Sequence, residues 1–142
     1  MQLEIQKELQ KKANPENAKI FQRFFKTGPS EYGEGDLFLG VIVPKIRETA
    51  KNHPNLSLYY LKKLLTSPFN EERLCALFIL VKQFQSGDEK EKKKIYDFYL
   101  SNIKGINSWG LVDTSADKIV GEYLASRSKN PLRCQELCSV ML

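Results

Sequence analysis

The chain has 142 residues, with 22 Lys+Arg against 17 Asp+Glu and a formal net charge of +5. With 42% hydrophobic and 27% charged residues, it has the make-up of one globular domain that buries roughly two-thirds of its unfolded surface. That balance excludes a disordered, collagen-like or disulfide-stapled chain. Leu3, Ile5 and Leu9 predict an opening helix ending near Ala13. Asn14-Pro15 then reads as an N-cap followed by proline at the first helical position. This second helix carries Ala18, Phe21, Phe24 and Phe25 and stops by Gly28-Pro29. An irregular stretch follows, Ser30 to Asp36, and leads into Leu37-Phe38-Leu39-Gly40-Val41. Gly33-Glu34-Gly35 lacks the Lys-Ser/Thr of a phosphate loop and reads as a turn. Tyr32 beside it reads as a packing residue.

Pro44 opens a helix running through Ile46 and Ala50 to His53-Pro54. Ser57 is expected to cap a helix faced by Leu58, Leu61, Leu64 and Leu65, ending before Pro68. Asn70 is expected to cap the next, with Glu71 and Glu72 near the positive end of its dipole and an apolar stripe of Leu74, Leu77, Phe78, Val81 and Phe84. Gly87 ends it. Asp88 starts another through Ile95, Phe98, Tyr99 and Leu100, in which Lys92-Lys93-Lys94 reads as a solvated face. A further helix is expected from about Ser108 to Ser126, and a last one from about Leu132. Short helices joined by short turns, without alternating strand patterns, predict an all-α fold: a HEAT/armadillo-like α-solenoid of antiparallel helix pairs in a single domain over 1–142. A compact helical bundle is the alternative.

No apolar run approaches the roughly 18 residues of a membrane span, and the N-terminus lacks a signal-peptide core. A soluble, intracellular, cytoplasmic protein with no membrane partner is expected. The cysteines, Cys75, Cys134 and Cys138, and the single His53 fall short of the four close-spaced ligands of a structural zinc site, so neither a metal nor a cofactor is expected. The spread of lysine and arginine favours polyanionic partners, and equally serves solubility.

The helix after Ser108 contains an anomaly. On a wheel of about 100° per residue with Trp109 at the origin, Ala116, Val120, Tyr123, Leu124 and Val112 all fall within roughly 60° of Trp109. Asp113 falls within this apolar stripe, about 40° away, while Lys118 and Glu122 lie on the opposite, solvent side. A carboxylate on such a face requires a partner or a cleft. Asp113 as a cap of a helix starting at Thr114, or as the partner of a core arginine, accounts for it structurally. A tryptophan and an aspartate in a positive groove also suit a cationic ring, drawn to the indole face and stabilised by the carboxylate.

Phe38-Leu39-Gly40-Val41 with Pro44 and Arg47, then Glu72-Arg73 with Ala76-Leu77, then Trp109, Asp113 and Gly121 together resemble the DNA alkylation repair family, the AlkD-like DNA glycosylases of HEAT-like repeats. The resemblance covers about 18–124, and 127–142 departs from the family pattern. It implies a base-excision-repair hydrolase acting on double-stranded DNA, which removes cationic N3- and N7-alkylated purines without metal or base flipping. It further implies Trp109 against the lesion's deoxyribose and Asp113 stabilising the oxocarbenium-like sugar and positioning water, with Phe24 near the lesion. Lys45 and Arg47 are candidates for DNA phosphate; two apart on one helix, they point in different directions. The arginine of a later family motif has no match in Asn130 to Cys138, and the chain reads as C-terminally truncated, its unfinished last helix open to pairing with another chain. The alternative is a noncatalytic module of this fold that binds DNA or serves as a protein scaffold.

Overall fold

The computed structural model describes residues 4–24, 37–102, 106, 111 and 115–127. Its helices are α1 (Glu4–Lys11), α2 (Pro15–Phe24), α3 (Val43–Asn52), α4 (Leu58–Leu65), α5 (Asn70–Ser86) and α6 (Glu89–Ser101), then a π-helical turn (Asp117–Gly121) continuing into α7 (Glu122–Arg127). Among the described residues the only extended pairing is a single parallel bridge between Leu37 and Phe69. The described residues form an all-α fold, consistent with an α-solenoid. The expected helix beyond Leu132, Cys134 and Cys138, and the turn at Gly33-Glu34-Gly35 lie outside the described residues.

Side-chain caps mark the starts of α2 and α6. Asn14 Oδ1 accepts the backbone N–H groups of Glu16 at 3.0 Å and Asn17 at 3.3 Å, satisfying donors that the first turn of α2 leaves open. Asp88 does the same for Glu91 at 2.9 Å. Ser57 occupies the N-cap of α4 without a side-chain bond. At α5 the expectation needs correction: Phe69 is the N-cap and Asn70 is the first helical residue. The side chain just upstream takes over, since Ser67 Oγ accepts from the Phe69 N–H at 3.1 Å and donates to the Glu72 carboxylate.

α5 is the spine. It packs against α1, α3, α4, α6 and the π turn, so it buries side chains on nearly all sides, including Glu71, Glu72 and Arg73. A helix surrounded in this way loses the one-sided pattern of a surface helix, which is why an apolar stripe from Leu74 to Phe84 understates its burial. Ile5 and Leu9 from α1, Ile46 and Ala50 from α3, and Leu61, Leu64 and Leu65 from α4 complete the core around it. The α3–α4 loop is pinned to the spine by Gln83, whose Nε2 donates to the carbonyls of Pro54 at 3.1 Å and Leu56 at 2.8 Å.

Candidate nucleic-acid interface

The segment Phe38-Leu39-Gly40-Val41 turns the chain into α3. Its backbone N–H groups converge on one carboxylate: Glu71 Oε1 accepts from Leu39 at 3.0 Å, and Oε2 accepts from Gly40 at 2.7 Å and Val41 at 3.2 Å. Glu71 is only 2% exposed, so these three donors replace the water it has lost. Gly40 has φ +87°, and a Cβ there would meet the Asn14 carbonyl oxygen at 1.9 Å. Only glycine fits both the conformation and the approach. The Leu39 carbonyl accepts from Asn14 N at 2.9 Å. Phe38 is buried and meets Phe21 edge-on at 6.0 Å. One of the motifs that carry the sequence resemblance, Phe38-Leu39-Gly40-Val41, is therefore architectural: with Glu71 and Asn14 it locks α5 and the start of α2 to the turn that leads into α3.

The face so positioned is basic. Arg47, Ala50 and Lys51 from α3, Phe78, Val81, Lys82 and Gln85 from α5, and Lys118 from the π turn line a cleft of about 330 Å³. Four cations line it and, among the described residues, no carboxylate does. Such a wall repels itself unless an anion neutralises it, and it concentrates polyanions at its mouth. The Arg47 guanidinium lies 5.2 Å from the centre of the Phe78 ring. That stacking restricts a flexible side chain while leaving its planar fork of donors for an anion such as phosphate.

Lys45 faces elsewhere, lining a smaller cleft with Lys11, Lys12, Asn14 and Asn17. The two candidate phosphate residues of α3 thus serve different surfaces, as their spacing requires. Phe24 ends α2, and its side chain lies outside the described ones, as do Trp109 and Asp113.

What stands on either side of Asp113 is firmly anchored. Leu111 and Ser115 are buried, and Ser115 Oγ donates to the Leu111 carbonyl at 2.7 Å. The Tyr99 hydroxyl of α6 lies 2.9 Å from the same Oγ. This buried chain ties Leu111 and Ser115 to α6. Beyond it, Ser115, Ile119 and Tyr123 are all buried at four-residue intervals. An α-helix overshoots each such interval by about 40°, so a straight one would swing Tyr123 about 80° away from Ser115. The π turn absorbs about one extra residue and keeps all three on the core side. Tyr123 then stacks on Tyr96 at 4.1 Å.

Lys118 within that turn is half-buried at the cleft, not on the open solvent face that an α-helical wheel gives it. It is one of three cleft cations that the sequence reading did not single out, with Lys51 and Lys82. The i, i+4 pairs Arg47/Lys51 and Phe78/Lys82 were available signals, but nothing in the sequence says that these two helix faces meet.

Other reactive groups serve the fold. The Cys75 thiol, fully buried, is pushed up to about 12 by burial, which suppresses the thiolate. His53 Nε2 lies 2.9 Å from Glu8 Oε1, and this hydrogen bond holds the Glu8 carboxyl below its ordinary range. No cluster of three or more His, Cys, Asp or Glu placed to hold a metal occurs among the described residues. No described helix is long and apolar enough to cross a membrane.

No curated protein and no solved structure matches the chain. The family model for the DNA alkylation repair enzyme matches residues 5–138, nearly the whole sequence, and with its all-helical fold and basic cleft this chain belongs to the DNA alkylation repair family.

Proposed function

We propose that the protein is a DNA glycosylase that hydrolyses the N-glycosidic bond of cationic, N3- or N7-alkylated purines in duplex DNA. Family membership gives it a DNA-repair role and an interaction with DNA. The observation that carries the finer reading is the cleft of Arg47, Lys51, Lys82 and Lys118, one wall of which is the π turn that follows Asp113 by a few residues.

The chemistry asks little of the protein. An alkylated purine already carries positive charge and leaves as a neutral base, so no buried general acid is needed. As the C1′–N bond breaks, positive charge moves onto the sugar. The Asp113 carboxylate stabilises that charge and orients water, whose oxygen bonds to C1′ as its proton departs. The Trp109 ring, against the deoxyribose, presents its negative face to the same charge. Phe24 is assigned to the groove near the lesion, and Lys45, on its separate cleft, to flanking phosphate.

The test is release of 7-methylguanine from methylated duplex DNA by the wild type and by Asp113→Asn. Release that vanishes in the variant, with folding intact, supports the mechanism. Equal release from both refutes the role of Asp113. The unmatched arginine region, Asn130 to Cys138, favours one rival, a noncatalytic DNA-binding module. Salt-sensitive duplex binding without release from wild type selects it.

A further inference from the structure

α4 presents an unusual outer face. Leu61, Leu64 and Leu65 fill the core side, while Tyr59 is 65% and Tyr60 41% exposed. By contrast Tyr99 and Tyr123 are buried. The two exposed rings stand edge to face with centroids 5.3 Å apart, and Lys63 Nζ sits 4.7 Å from the centre of Tyr59 and 5.8 Å from that of Tyr60. Lys62 is exposed beside them. Between Thr49 and Asn70 the chain contains no Asp or Glu but has Lys51, Lys62 and Lys63. Neither Lys62 nor Lys63 pairs with a carboxylate among the described residues. The platform is also firm: its preceding loop is held by the two Gln83 bonds, and its underside is packed on α5.

We propose that the Tyr59-Tyr60-Lys62-Lys63 face of α4 is a second nucleic-acid contact, one that takes an unpaired strand. Exposed rings offer stacking surfaces, and every base has a π-face to place on them. The adjacent lysines meet the phosphates, and the lack of acid removes the repulsion that would oppose them. A duplex hides its base faces, so this surface discriminates strandedness, whereas the cleft lined by Arg47 and Lys82 meets backbone phosphate. The rings are already constrained by each other and by Lys63, which lowers the ordering cost of binding. An acidic protein segment would use the same charges but gain nothing from ring faces.

The experiment measures fluorescence anisotropy of a labelled twelve-nucleotide oligothymidylate and of a labelled unmodified duplex. The proteins are wild type, the Tyr59→Ala/Tyr60→Ala pair and Lys62→Gln/Lys63→Gln. Both tyrosines are exposed, so the helical circular dichroism signal is expected to be unchanged. Stacking of one or two bases predicts a loss of about tenfold or more in single-strand affinity for the tyrosine pair, with duplex affinity within twofold of wild type. The lysine pair lowers the single-strand salt slope by about 1.4, at roughly 0.7 per phosphate contact. Wild type that does not bind the strand, or a tyrosine pair that binds it as wild type does, overturns the proposal. So does a tyrosine pair that loses affinity equally for polyglutamate, since that assigns the face to acidic peptides. Unmodified DNA is used throughout, so the outcome is independent of base excision.

Discussion

The Glu71 carboxylate is the acceptor for the backbone N–H groups of Leu39, Gly40 and Val41. Truncating it to alanine strips the acceptor from three backbone donors. Gly40 and Val41 are buried and Leu39 half-buried, so the first two cannot turn to water. An orphaned buried donor costs about 1–3 kcal/mol, which gives about 3–6 kcal/mol for Glu71→Ala once a smaller contribution from Leu39 is added. Against a typical domain stability of about 5–15 kcal/mol, that is a large fraction of the total. At about 2–4 °C per kcal/mol for a domain of this size, the melting temperature falls by about 6–24 °C. Glu71→Gln keeps one carbonyl oxygen but turns an amino group toward N–H groups, so an intermediate loss is expected. Thermal unfolding followed by circular dichroism measures both variants, and amide exchange at Leu39, Gly40 and Val41 locates the damage. A loss below about 1 kcal/mol for Glu71→Ala, or unchanged exchange at these amides, would refute the claim that this carboxylate holds the turn.

Three further outcomes follow from the geometry. Arg47→Gln removes one cleft cation, so the slope of log affinity for duplex DNA against log salt becomes shallower by about 0.9; a salt titration with an unchanged slope would show that phosphate does not reach Arg47. The Glu8 carboxyl is held below the ordinary glutamate range chiefly by its hydrogen bond to His53, so its contribution is complete at and above that ordinary range and is lost as pH falls through the lower folded value. Glu8→Gln should therefore melt a few degrees below wild type near pH 6, with the gap closing toward pH 3; a gap independent of pH sinks this account. Tyr99→Phe deletes the hydroxyl that meets Ser115 Oγ, costing about 0.5–1.5 kcal/mol. If that bond also positions the Asp113 segment, base release falls in kcat with KM little changed, whereas a purely structural role lowers the melting temperature alone.

Elements and caps were legible because they are local. Asn14, Pro15 and Asp88 act on backbone groups within a few residues, and the boundaries they set match the observed helices. The family motifs were legible as a pattern, yet their meaning was not. Gly40 demands glycine because the Asn14 carbonyl, from another helix, crowds its Cα. Glu71 is buried because a turn some thirty residues earlier aims three N–H groups at it. On a helical wheel it was a dipole partner at a helix start, since the wheel contains no neighbouring elements.

The candidate site divides in the same way. An aromatic-carboxylate pair at helical spacing, Trp109 and Asp113, is a property of one segment, and the sequence exhibits it. Arg47 was visible as a basic residue near a helix start. That it shares a cleft with Lys51, Lys82 and Lys118 depends on α3, α5 and the π turn meeting, and only packing decides that. Lys118 makes the point most sharply. Periodicity sends it to solvent because a uniform α-helix was assumed, while the core demands that Ser115, Ile119 and Tyr123 stay on one side, and the chain yields by adopting a wider turn. Among the described residues, sequence determined which segments are helices, because that follows from nearest neighbours along the chain. Tertiary structure decided which charges converge, because convergence depends on distances between residues the chain holds far apart.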